Sequence, residues 1–191
     1  MSGKSSPSSR DSPDPLARWQ AAEAAVASGD MAGFRAALGD PAGFPDCLLG
    51  VDFLGCGDRP LDIAIRCGPP AFVAALIASG ADPRAEAADG FPPLFQAIDA
   101  PREDRHAVLA VLLDAGADTE QRGLNDGTAL HHAVARRDIA AVRMLLAHGA
   151  DIAARTRIDD LSTPLEDAEA MGFAEAVALM RPAPSPPRRR R

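Results

Sequence analysis

Three of the four histidines fall in one stretch, "GTALHHAVARRDIAAVRMLLAHGAD", from Gly127 to Asp151. Imidazoles so gathered can in principle bind a metal or move a proton. The spacing argues against both. His131 and His132 are neighbours, so on a helix they point about 100° apart. Two histidines that share a metal from one helix need i, i+4 spacing. His148 stands by itself at the far end of the stretch. The cysteines are Cys47, Cys56 and Cys67, an odd number whose spacings match no zinc pattern. Cys47 and Cys56 flank "LLGVDFLG" and could meet across a loop, but a reducing compartment would leave them as thiols. No serine or cysteine sits in a nucleophile motif, and there is no glycine-rich phosphate loop. We therefore expect no catalytic residue, no bound metal and no cofactor. An enzyme or redox switch built on Cys67 and His131 is the weakest reading, and an unusually acidic Cys67 would mark it.

Composition narrows the class further. The chain has 191 residues, enough for one domain with a sizeable core, and 47% are hydrophobic. Aromatic residues make up only 4%, too few for a base-stacking nucleic-acid surface. The start, "MSGKSSPSSRDSPDP", has no apolar run, so no signal peptide is expected, and no stretch is long and apolar enough to span a membrane. These features predict a soluble, cytoplasmic protein. Residues 1–15 read as a disordered tail, and 183–191 as a proline-stiffened tail that ends in Arg188 to Arg191. Of 20 basic and 27 acidic residues, two of each sign lie in the first fifteen and four arginines in the last ten. The body from 16 to 181 thus carries 14 basic and 25 acidic groups, a net of −11. That body would repel a phosphate polymer, which only the arginine tail could attract.

The body repeats itself. "RPLDIAIRCGPPAFVAALIASGAD" from Arg59 and "TALHHAVARRDIAAVRMLLAHGAD" from Thr128 follow one pattern. A third copy starts at Pro92, a fourth at Thr163 stops short, and "ARWQAAEAAVASGDMAGFRAAL" from Ala17 is a degenerate first. The leucines that open the units, Leu61, Leu94, Leu130 and Leu165, are 33, 36 and 35 residues apart. Each unit reads as two short helices. Leu130, Ala133 and Val134 form one apolar stripe, and Ile139, Val142, Leu145 and Leu146 form the next. In "CGPP" glycine ends the first helix and proline begins the second. Gly-Ala-Asp closes the second helix, with glycine in the left-handed cap. A two-helix unit cannot bury its own stripe, whereas stacked neighbours can, so the fold is a solenoid.

These residues resemble the ankyrin repeat. The likeness rests on the starts "RPLDIA", "TALHHA" and "TPLEDA", the period near 33, and the closing "GAD" at Gly80, Gly116 and Gly149. It covers residues 16–182, in units 16–57, 58–90, 91–125, 126–160 and 161–182. The resemblance implies an all-α solenoid of helix–turn–helix units with projecting hairpin loops. It also implies a concave face that binds proteins. His131 falls on the family's histidine position, where the ring usually hydrogen-bonds backbone. Arg137 replaces the glycine usual between the helices, so either the turn differs or a positive φ is tolerated at about 1 kcal/mol.

The leading expectation is a monomeric, non-catalytic module for an unidentified protein partner. Contacts are expected at the hairpin tips and along the concave ends of the first helices. The tip positions are Glu86, Ala88, Asp89 and Phe91, then Arg122, Leu124 and Asn125. The last tip adds Arg155, Arg157, Ile158 and Leu161. Arg66, Asp99 and Arg136 complete the concave row. Apolar and arginine side chains are suited to act as anchors. Two segments interrupt the pattern. The long apolar joint from Gly39 to Asp58 is expected to pack on the solenoid, and the charged "APREDR" from Ala100 to Arg105 is expected to be a solvated loop beside the concave face. The alternative function is nucleic-acid or nuclear association through Arg188 to Arg191.

Overall fold

The computed structural model describes residues 14–49, 58–87, 90–158 and 161–181. Ala88, Asp89, Cys56, Arg188 to Arg191 and the middle of the 39–58 joint lie outside the described residues, as does the side chain of Leu124. Ten α-helices and no strand occur among the described residues, and the helices pair in order. α1 (Pro15–Ser28) pairs with α2 (Met31–Ala37), and α3 (Pro60–Cys67) with α4 (Pro70–Ala78). α5 (Pro93–Asp99) pairs with α6 (Arg105–Asp114), α7 (Ala129–Ala135) with α8 (Ile139–Ala147), and α9 (Pro164–Ala170) with α10 (Ala174–Met180). α1 begins one residue inside the expected tail, because the Asp14 carboxylate accepts the Leu16 N–H and Pro15 presets the first helical turn. None of the described helices is long and apolar enough to cross a membrane.

The stack is held by the stripes. First helices pack on first helices, α1 on α3, α3 on α5, α5 on α7 and α7 on α9. Second helices form the parallel layer α4, α6, α8, α10. Leu61, Leu94, Leu109, Leu112, Leu130 and Leu145 are fully buried in one continuous core. Truncating any of them to alanine should cost about 2–5 kcal/mol.

In three of the five first helices the third residue caps the helix start. In α3, α7 and α9 it is Asp62, His131 and Glu166, and each accepts the backbone N–H of its own N-cap residue, at 2.7, 3.1 and 2.8 Å. In α5 the same position is Phe95. There the N-cap is Pro92, which has no N–H to satisfy, so an apolar residue costs nothing. Gly123 passes so close over the Phe95 ring that a Cβ would lie 2.7 Å from it.

The helix ends follow two rules. The Gly-Ala-Asp glycines have φ of 115°, 84° and 83° at Gly80, Gly116 and Gly149. Gly68, which ends α3, is extended instead, and its need for glycine is steric: a Cβ would meet Val26 and the Ala64 carbonyl at 2.7 Å. Arg137 does adopt the left-handed turn, at φ 55°. Its guanidinium stacks 4.9 Å from the Phe173 ring and donates to the Met171 carbonyl, which offsets the strain.

The segment "APREDR" is solvated only in part: Pro101, Glu103 and Asp104 are exposed, as the sequence predicts, but two other residues turn inward. Ala100 is buried, and Arg102 turns inward to donate to the Ile65 and Gly68 carbonyls at the end of α3. Asp104 holds the same guanidinium from outside at 2.5 Å. The cause is the set of carbonyls left without partners where α3 stops. In the 39–58 joint, Phe44 packs edge-on against Phe34 and Leu49 is buried, so its described first part does pack on the solenoid.

Candidate functional site

The first helices and the inner edges of the hairpins enclose a groove. At its N-terminal end Arg66 pairs with Asp58 at 2.5 Å and lies over the Trp19 ring at 5.6 Å. Next comes Phe91, which is half-buried rather than projecting. Its ring meets Phe95 edge-on at 5.8 Å and His132 at 6.3 Å. Arg66 and Phe91 border a cavity of about 180 Å³ that Asp58, Gln96 and Asp99 also line.

The middle of the groove is a three-residue cluster. Asp99, at the end of α5, receives His132 Nε2 at 2.9 Å and Arg136 Nε at 2.6 Å, both from the following repeat. Burial works against the ionised Asp99, but the hydrogen bonds from Arg136 and His132 outweigh it and hold the carboxyl below its usual range. His132 packs on Phe95 in a tilted stack, ring planes 34° apart and centroids 4.8 Å apart. The adjacent histidines therefore do separate tasks. His131 is buried, and burial pushes its pKa down, so the ring is neutral. Its Nδ1 accepts from the Thr128 N–H, which leaves the proton on Nε2 to donate to the Ser162 carbonyl of the next repeat at 3.2 Å.

Beyond the cluster the groove opens into a cavity of about 450 Å³. Phe95, His132, Arg136, Asn125, Ile158 and Asp167 border it. Ile158 is 56% exposed at its rim.

The arginines at the hairpin tips work inside the molecule. Arg122 donates to the carbonyls of Asp126 and Arg155, joining two hairpins. Arg157 reaches back to Asp126 at 2.9 Å, and Arg155 pairs with Glu166 at 3.0 Å. Glu86 accepts from Gln121 of the next hairpin. Asn125 is exposed in a left-handed turn at φ 53°. So the structure gathers Arg66, Phe91, Asp99, Arg136 and Ile158 along one groove, and places Glu86, Arg122, Arg155 and Arg157 in bonds that link or brace the hairpins. Gln96, His132 and Asp167 are groove residues that the sequence reading did not select. They share one position, the residue after the helix-start residue of α5, α7 and α9, and that register was the available signal.

Burial pushes the Cys67 thiol above its usual value, and Sγ donates to the Ile63 carbonyl at 3.1 Å. The acidic thiol that a redox role would need is not what the site provides. No cluster of three or more potential metal ligands occurs among the described residues.

Residues 61–156 match a family model described as ankyrin repeats in three copies. A Treponema pallidum (strain Nichols) protein named as ankyrin repeat-containing is 36% identical over 126 residues, 63% of this chain and 35% of that protein. XBAT34 of Arabidopsis thaliana, named for E3 ubiquitin-protein ligase activity, is 36% identical over 90 residues, 46% of this chain and 23% of that protein. The chain thus spans about a third of the first relative and a quarter of the second.

Proposed function

Since the chain belongs to the ankyrin repeat family, we propose that it is a non-catalytic module that binds a protein partner along the groove of its first helices. Ankyrin repeats generally mediate protein–protein interaction. The observation that carries the reading is the groove itself. Polar groups are organised around Asp99, His132 and Arg136, with open cavities on both sides and the exposed Ile158 at one rim. Such a mixture of an apolar anchor and fixed polar groups suits a specific interface. The groove also differs from the outer helix α4. α4 has no charged residue, and its apolar side chains are spent on stacking. What this chain shares with the plant relative is a stretch of under half its own length, so we infer a common mode of binding and carry over no ligase chemistry.

The contact set we propose is Arg66, Phe91, Asp99, Asn125, Arg136 and Ile158. Arg122, Arg155 and Arg157 support it by fixing the hairpins. Affinity capture with the full-length chain and with Ile158→Asp tests the proposal. A partner retained by the first and lost by the second, with melting temperature unchanged, is the expected result. Equal capture by both would refute the groove as the site.

A further inference from the structure

The larger cavity carries several side-chain oxygens that have no hydrogen-bond partner among the described residues. Asp167 is half-buried on α9, faces the cavity, and makes no side-chain hydrogen bond or ion pair among the described residues. Neighbouring carboxylates are satisfied: Asp99 by His132 and Arg136, Asp126 by Arg157, Glu166 by Arg155. The hydroxyls of Thr156 and Ser162 and the amide of Asn125 line the same cavity, and none of these side chains has a hydrogen bond among the described residues. A carboxylate on the cavity wall with no donor among the described residues is open to a ligand cation, with which it can form a charge-assisted hydrogen bond.

Arg136 also borders the cavity, but Asp99 neutralises its guanidinium at 2.6 Å. The long-range field favours a cation as well, since the body carries a net charge of −11. Shape and donor count then choose between cations. An ammonium is a compact charge with three donors. A guanidinium spreads five N–H groups over a plane and can serve several separated oxygens at once. Its aliphatic stem would lie on Ile158, which is exposed at the rim.

We propose that this cavity receives an arginine side chain of the protein partner, whose guanidinium donates to Asp167 and to the oxygens around it. The proposal rests on the groove-binding reading and names the chemistry of one anchor within it.

The test titrates the full-length chain, by fluorescence anisotropy, with a labelled alanine-based nonapeptide that carries one central arginine. A matching peptide has citrulline, which keeps the shape and loses the charge. The arginine peptide should bind about tenfold more tightly. Asp167→Asn should erase that preference, and Glu175→Gln, an exposed acidic residue on α10 outside the cavity, should keep it. Equal binding of the two peptides, binding of neither, or a preference that survives Asp167→Asn overturns the proposal. A full-length chain with Arg188 to Arg191 changed to serine should behave as the parent does. Much tighter binding by that chain would identify its own tail as the occupant and overturn the assignment to a partner. Because Ile158→Asp is judged by partner capture, loss of the arginine proposal and loss of groove binding are separate results.

Discussion

Gln96 reaches back one repeat to place its Nε2 2.7 Å from Oδ1 of Asp62, a carboxylate with no solvent exposure. The same amide leaves its own Oε1 buried without a partner. Burial raises the Asp62 pKa to about 6, against the opposing hydrogen bonds from the Arg59 N–H and Gln96. The folded state thus binds a proton that the unfolded chain releases near 4. Stability from this group is fully present below that pH and is lost as pH rises through about 6.

Asp62→Asn should remove that loss. The Asn side chain can still accept the Arg59 N–H, and its amide can donate to Gln96 Oε1 once the glutamine amide turns over. Between pH 4 and pH 7 the parent should lose up to about 3 kcal/mol relative to the variant. Urea denaturation of both proteins across that range checks the sign. A parent that gains on the variant as pH rises would show that Asp62 is stabilised as the anion.

His131→Ala should lower stability by about 2 kcal/mol, because it leaves the Thr128 N–H and the Ser162 carbonyl without their partner. The effect should be largest in the last two repeats, which the Nε2–Ser162 bond joins. Hydrogen exchange at α9 reads this directly, with faster exchange there than at α3 as the expected outcome.

Arg137 offers a test of strain against contact. Glycine there relieves the positive φ but loses the Phe173 stack and the Met171 hydrogen bond. Alanine keeps the strain and also loses the contacts. Arg137→Ala should therefore be less stable than Arg137→Gly by about 1 kcal/mol. Thermal melts of the two variants give the difference, and equal melting would mean that the turn relaxes.

The repeat architecture was legible because its determinants are local. Leucine spacing, the apolar stripes and the closing glycines each act within one unit, and all agree. What joins the units was not legible. The pairs His132–Asp99 and Arg157–Asp126 span 33 and 31 residues, and nothing local tells an arginine tip to turn back onto its neighbour instead of outward. Arg102 misled for the same reason. A charged run reads as solvated until the free carbonyls at the end of α3 are known to lie beside it. The helix-start row of Asp62, His131 and Glu166 could have been found, since each stands three residues after an N-cap.

Binding is expected on the groove and not on the outer layer or the tails. The most direct measurement is calorimetric titration of the captured partner against four full-length or near full-length forms. These are the parent, Ile158→Asp, Arg143→Glu on the exposed face of α8, and a chain lacking residues 184–191. Ile158→Asp should weaken binding by at least about tenfold with an unchanged helical spectrum. Arg143→Glu and the tail deletion should each change affinity by less than about 0.5 kcal/mol at physiological salt. Normal binding by Ile158→Asp, together with loss of binding on tail deletion or in Arg143→Glu, would place the binding site off the groove.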